Sequence, residues 1–181
     1  MAPSRAPAVA PLALAALALS PAVAAPARAY DRQLGITAGA GYTGITGNTA
    51  LPPHAVHASA GIGIGLGDTW ELRTRADFAH HFGQMSRLGG SVDLVYLLDV
   101  LSVVPYLGIS VGGAAALIEP VGAPAIWRGD LLVGAILGFD VLLGREWTVG
   151  VEIRPTFVPT DFDAEPMLLT VLARGQVLLE I

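Results

Sequence analysis

Three side chains have the types and spacing of a nucleophilic catalytic set. His57 and Ser59 stand two residues apart, so they share one face if the segment is a strand. Matching the apolar faces of this segment and the next pairs Gly63 with Arg73 and Gly61 with Arg75, which places Asp77 opposite Ser59. A nucleophile needs a base within hydrogen-bond reach, and this set could therefore act as a hydrolase. The same three residues serve equally well as hydrogen-bonding filler inside a barrel, which is the interpretation that we favour.

Four histidines fall near the same two segment ends, which makes a metal site the second chemical hypothesis. They are His54, His57, His80 and His81. Neutral imidazole is a common metal ligand, but the sequence offers no cysteine or paired carboxylate to complete a ligand set. We expect solvated histidines, and no metal or cofactor.

A third candidate is an acidic stretch, Asp161, Asp163 and Glu165. Alternate carboxylates could bind calcium weakly, but a complete ligand loop is missing from the sequence. A solvated acidic loop is the favoured interpretation.

The elements that would position these groups are best seen between Trp70 and Phe78. In a strand, one face of this stretch is apolar with an aromatic ring at each end, and the other face carries Glu71, Arg73, Arg75 and Asp77. Such a pattern is typical of one wall of a barrel that turns its charges inward and its apolar face to lipid.

Composition agrees with this interpretation. The 181-residue chain is 53% hydrophobic and 14% charged, with 22 glycines, no cysteine and a net charge of −5. After the first segment, no stretch reaches the roughly 20 apolar residues of a transmembrane helix. An acidic balance without a basic run argues against nucleic acid as a partner.

The first 29 residues differ from the rest. Arg5 precedes an Ala/Leu/Val/Pro-rich segment, and Ala27-Arg28-Ala29 has the form of a cleavage site. Residues 1–29 are therefore interpreted as a secretory signal peptide that is cleaved on export, and residues 30–181 as a single barrel domain.

Alternation of apolar and small or polar residues predicts eight strands in that domain. They cover 33–42, 55–66, 70–78, 88–98, 103–115, 127–141, 147–155 and 167–181. Long connections (43–54, 79–87, 117–126, 156–166) alternate with short ones (67–69, 99–102, 142–146). An even strand number with alternating short and long connections indicates an all-β, eight-stranded, antiparallel up-and-down transmembrane barrel with both termini on the periplasmic side.

The distribution of rings and charges decides which face looks outward. Aromatics on the apolar face cluster at the loop end (Tyr42, Phe78, Trp127) and at the turn end (Trp70, Tyr96, Phe139, Trp147). Two such girdles match two lipid interfaces and disfavour a soluble, lipocalin-like barrel. The opposite face should hold a paired interior network of Glu71, Arg73, Arg75, Asp77, Asp93, Asp130, Asp140, Glu152, Arg154 and Arg174.

With these features the domain resembles the small eight-stranded outer-membrane barrels, the group that includes the OmpA transmembrane domain and OmpX. The resemblance implies an outer-membrane protein of a Gram-negative cell envelope, contacts with outer-membrane lipid and the barrel-assembly machinery, and a monomer. Those barrels commonly end in an aromatic residue, whereas this chain ends in Val-Leu-Leu-Glu-Ile181.

Three functions remain open from the sequence. The first is a structural or surface-interaction barrel without enzymatic activity. The second is a narrow passive channel for small solutes, because inward glycines leave space. The third is a lipid-modifying enzyme that uses His57, Ser59 and Asp77.

Overall fold

The computed structural model is a closed barrel of eight strands, each antiparallel to its two neighbours in the order β1 to β8. It describes residues 33–46, 53–82, 85–98, 102–119, 122–161 and 167–180. The predicted signal peptide, Asp163 and Glu165 lie outside these residues. The strands are β1 Gln33–Thr46, β2 His54–Gly65, β3 Trp70–His81, β4 Met85–Leu97, β5 Val103–Ile118, β6 Ile126–Leu142, β7 Trp147–Phe157 and β8 Met167–Glu180.

The predicted up-and-down barrel is thus confirmed, as is the register of its second hairpin. Gly63 pairs with Arg73, Gly61 with Arg75, and Ser59 with Asp77. Because a one-residue slip would exchange the faces, the alternation itself selects this pairing.

Several strands extend further toward the loop end than the sequence predicted. The expected loop 79–87 shrinks, because β3 continues to His81 and β4 begins at Met85. Likewise, β1 continues to Thr46 and β5 to Ile118. The cause is that inward-facing polar residues such as Arg87 look like loop residues in sequence, although a barrel interior accommodates them.

Regular helix is confined to one short turn in the part of the chain that the structure covers. A 3-10 turn, Pro159–Asp161, follows β7, and the backbone N–H of Leu131 donates to the Thr160 hydroxyl at 3.1 Å. No helix in the described ranges is both long enough and apolar enough to cross a membrane.

The hydrogen-bonded rows of the barrel define its stagger. The row that starts at Trp127 runs through each strand in turn and returns to β6 at Leu137, and its members are Trp127, Leu117, Ser86, His80, Val56, Tyr42, Val171, Ile153 and Leu137. The row therefore closes 137 − 127 = 10 residues nearer the turn end. With ~3.3 Å per residue and ~4.8 Å between strands, this stagger tilts the strands by ~40° from the barrel axis.

Candidate functional site

The polar and charged side chains that could bind a ligand or catalyse a reaction lie in the barrel interior. A network of charged side chains occupies its middle. Glu152 of β7 is fully buried and lies at the centre of the network. Its carboxylate accepts hydrogen bonds from Arg75 at 2.6 Å, Tyr106 at 3.0 Å and Arg174 at 3.3 Å. Because these donors come from β3, β5 and β8, one carboxylate ties together walls that are not neighbours in the sheet.

Further ion pairs extend the network around Glu152. Arg73 donates to Glu71 at 2.7 Å and to Glu152 at 3.4 Å. Asp93 accepts from Arg75 and from Arg154, each at 3.0 Å. Charge-assisted hydrogen bonds of this length are the strong kind, and here they form inside a largely dehydrated core.

Tyr106 is the uncharged member at the centre. The guanidinium carbon of Arg73 lies 4.7 Å from the centroid of its ring, and that of Arg174 lies 5.4 Å away. Its hydroxyl also accepts from Arg174 at 3.2 Å. The ring therefore separates two like charges while attracting both.

The network combines eight of the ten predicted interior charges. They are Glu71, Asp93, Asp140 and Glu152, balanced by Arg73, Arg75, Arg154 and Arg174. Asp140 is the most weakly tied, since its nearest cation is the Nε of Arg174 at 3.6 Å. With four carboxylates and four guanidiniums, the cluster is neutral.

The other two predicted charges lie closer to the loop end and form separate pairs. Asp130 is 3.1 Å from the Nε of Arg128 and 3.7 Å from Arg87. Asp77 pairs with His57, whose Nε2 lies 3.1 Å from its Oδ1. Neither group joins the cluster around Glu152.

An apolar cluster closes each end of the interior. The cluster at the turn end consists of Val95, Leu97, Val104, Tyr106, Ile136 and Leu178. The cluster at the loop end consists of Ile45, Met85, Ala116, Val158 and Leu168. The charge network is therefore bordered on the turn side by buried apolar side chains.

Between the network and the loop-end cluster lies a small cavity of about 60 Å³. Its lining includes Thr43, His57, Asp77, Arg87 and Arg154. That volume suits a handful of water molecules, at ~10–15 Å³ each.

The predicted catalytic set is brought together only in part. His57 uses both ring nitrogens: Nε2 lies 3.1 Å from Asp77, and Nδ1 lies 3.0 Å from the Thr43 hydroxyl. Thr43 in turn is 2.8 Å from the Thr170 hydroxyl. The imidazole is thus engaged by Thr43 where the sequence had placed Ser59, and it serves as a cross-strand bridge.

The four histidines do not converge. His54 and His80 are exposed, whereas His57 and His81 face inward. His54 is hydrogen bonded to Tyr42, and His80 to Ser86. In the described ranges, no group of three or more His, Cys, Asp or Glu side chains is arranged to hold a metal ion.

All seven predicted girdle aromatics are on the outward face; Tyr96 is half-buried and the other six are exposed. Trp70 and Tyr96 pack edge to face, with ring centroids 5.1 Å apart. Trp127 is 68% exposed, against 44% for Tyr42 and 46% for Phe78.

Comparison with known proteins yields similarity in structure and none in sequence. No protein-family model and no curated protein sequence matches the chain. Solved structures do match. OprG from Pseudomonas aeruginosa is 10% identical with a TM-score of 0.63, and the match covers 84% of this chain and 98% of OprG.

Two further structures give the same result. The N-terminal β-barrel domain of Pseudomonas aeruginosa OprF is 12% identical with a TM-score of 0.61, covering 82% of this chain and 98% of that domain. Neisserial surface protein A is 11% identical with a TM-score of 0.60, covering 82% and 96%. This chain has the fold of the small eight-stranded outer-membrane barrels.

Within that fold, sequence reasoning missed several residues that fill the interior. Arg87 and Arg128 both pair with Asp130, but the sequence pattern assigned Arg87 to a loop and did not include Arg128 among the interior charges. It also did not predict the two apolar clusters. A signal for the turn-end cluster does exist in the sequence. From Leu94 to Leu98 every residue is apolar, so the alternation of apolar and polar residues stops there. In this part of β4 both the outward and the inward side chains are apolar.

Proposed function

We propose that this chain is a closed, non-enzymatic barrel of the outer membrane, with a structural or surface-interaction role. Outward aliphatic side chains exposed by roughly half, such as Ile62, Leu107 and Leu137, support lipid as the medium around it. A soluble protein rarely exposes so continuous an apolar surface. Export through a cleaved signal peptide, insertion by the barrel-assembly machinery and a monomeric state belong to the same proposal.

The observation that carries the closed state is the filling of the interior. Glu152, Asp93 and Arg73 are at most 3% exposed, and the hydrogen bonds from Arg73 and Arg75 to Glu152 cross the lumen. Eight strands leave an interior that side chains just fill. These hydrogen bonds connect opposite walls of the barrel and make it rigid. A rigid barrel can hold short outer loops in fixed positions.

A surface-interaction role also fits the short connections at the loop end, where β3 and β4 are only three residues apart. One of the similar structures is itself named as a surface protein, the Neisserial surface protein A. An enzymatic role on lipid is disfavoured because the hydroxyl that reaches His57 belongs to Thr43, which is only 2% exposed and faces the barrel interior.

The second candidate function is a narrow passive channel. The 60 Å³ cavity between the network and the loop-end cluster is the feature that favours it. To conduct, the barrel would have to separate Arg75 from Glu152, which lie 2.6 Å apart.

Planar bilayer recordings distinguish the two functions. For the refolded barrel at neutral pH in about 1 M salt, where the Debye length is about 3 Å, we expect no stable conductance steps, because surface pairs are screened by salt but buried ones far less. Regular, voltage-independent openings of uniform size from the purified protein would reject the closed barrel in favour of the channel. Protein-free bilayers and a heat-unfolded sample are the controls.

A further inference from the structure

The apolar outward surface of the barrel is not equally tall on all sides, and the register shows this. Trp127 and Tyr42 belong to one hydrogen-bonded row, five strands apart. In a barrel with strands tilted by ~40°, a row descends ~3 Å toward the turn end at each strand. Trp127 therefore stands ~15 Å further out along the barrel axis than Tyr42.

Phe78 lies at the same height along the barrel axis as Tyr42. It lies two residues toward the turn end from His80, which shares the row of Trp127. With strand rise and tilt as above, Phe78 falls within ~2 Å of the height of Tyr42. Tyr42 and Phe78 thus share one level, and Trp127 lies well beyond it.

Trp127 stands further out than phospholipid headgroups would extend from the level of Tyr42 and Phe78. The interfacial layer adds only ~5–7 Å to each side of the hydrocarbon core. If Tyr42 and Phe78 mark that interface, the indole of Trp127 lies beyond the phospholipid headgroups and does not share the level of the other two loop-end aromatics. Nevertheless, at 68% exposed it is the most solvent-accessible of the large apolar side chains that the structure describes.

The polarity of the outward face changes at the same level. Between the two girdles the described outward side chains are apolar, with Thr74 as the exception. Beyond the loop-end girdle the face becomes mixed: next to Trp127 and Leu117 in the row come Ser86 and His80, hydrogen bonded to each other at 3.0 Å. An imidazole and a hydroxyl would be costly among acyl chains.

We propose that the outward face of the β5–β6 hairpin, centred on Trp127, contacts the saccharide headgroups of outer-leaflet glycolipids. A large ring with one N–H donor, with a hydroxyl and an imidazole two and three strands away in the same row, suits sugars, which present C–H faces as well as hydroxyls. The surface is continuous with the lipid-facing belt along Leu131, Val133 and Leu137 of β6. The inference rests on the proposed outer-membrane location, and it names the lipid class that this side of the barrel contacts.

Tryptophan fluorescence tests this directly, because the chain has three tryptophans and two of them lie at the turn end. The double variant Trp70→Phe/Trp147→Phe leaves Trp127 as the only reporter, and Trp127→Phe leaves the turn-end pair. Both variants are refolded into phosphatidylcholine vesicles, and into the same vesicles carrying lipopolysaccharide in the outer leaflet.

In phosphatidylcholine alone, we expect Trp127 to be quenched by acrylamide and not by lipids brominated on their acyl chains. Lipopolysaccharide should then lower the acrylamide quenching constant of Trp127 at least two-fold and shift its emission to shorter wavelength. The turn-end pair of Trp127→Phe should be quenched by brominated chains in both kinds of vesicle and should not respond to lipopolysaccharide.

Two results would overturn the inference while leaving the barrel in the membrane. One is acrylamide quenching of Trp127 that lipopolysaccharide does not change. The other is quenching of Trp127 by brominated acyl chains, which would place the indole in the hydrocarbon layer. If brominated chains fail to quench the turn-end pair, the proposed membrane location itself is wrong.

Discussion

Replacing Glu152 with alanine should lower the free energy of unfolding of the refolded barrel by about 3–5 kcal/mol. The carboxylate is fully buried and accepts hydrogen bonds from Arg75, Tyr106 and Arg174. Its loss leaves guanidinium groups without their shared counter-charge in a dehydrated interior. Removing one partner of such a buried pair costs more than the pair itself contributes, because the remaining charge stays desolvated.

Urea-induced unfolding in a fixed detergent or lipid measures the effect of Glu152→Ala. Glu152→Gln is the matched variant, since it keeps the shape and an acceptor oxygen but removes the charge, and we expect a smaller loss. Glu146→Gln, in the exposed turn before β7, should stay within about 0.5 kcal/mol of the wild type. A loss below about 1 kcal/mol for Glu152→Ala would contradict a central role of this carboxylate.

The second large effect is expected on the outward face. Ile109 is 63% exposed and lies near the middle of β5, between the two aromatic levels. Ile109→Arg should destabilise the barrel in lipid by about 2–4 kcal/mol, because it places a charge near the bilayer midplane. The same exposed substitution on a soluble protein would cost little.

Depth dependence is the control for the Ile109 variant. Trp127→Arg, which is placed beyond the lipid interface, should cost only about 0–1 kcal/mol. Both variants are compared by reversible unfolding from phosphatidylcholine vesicles. An equal loss in the free energy of unfolding for both variants would mean that the outward face at Ile109 does not contact the bilayer.

Much of the fold followed from the alternation alone. The stretch from Trp70 to Phe78 predicted one apolar and one charged face, and matching its apolar face to that of β2 predicted the register that places glycines opposite Arg73 and Arg75. Local alternation fixes which face a residue is on, since a slip by one exchanges the faces. It does not fix the strand ends, where Arg87 and His81 turn inward at positions that composition had assigned to a loop.

The pairing inside the barrel could not be predicted for a different reason. Which carboxylate meets which guanidinium depends on the stagger of all eight strands together, and local patterns leave the total stagger undetermined. Glu152 meets Arg75 across the lumen, while Asp77 pairs with His57 on the adjacent strand. The same stagger of ten residues raises Trp127 above Tyr42, although both follow the same sequence rule.

The most direct test of the central claim, a lipid-facing barrel with its charges inside, is refolding of residues 30–181 from urea with and without detergent or lipid vesicles. With detergent or lipid, we expect β-type circular dichroism and a compact band that migrates differently on electrophoresis after boiling. Without them, we expect aggregation, because the outward face exposes aliphatic side chains. A folded, monomeric protein that stays in solution without any amphiphile would contradict the account.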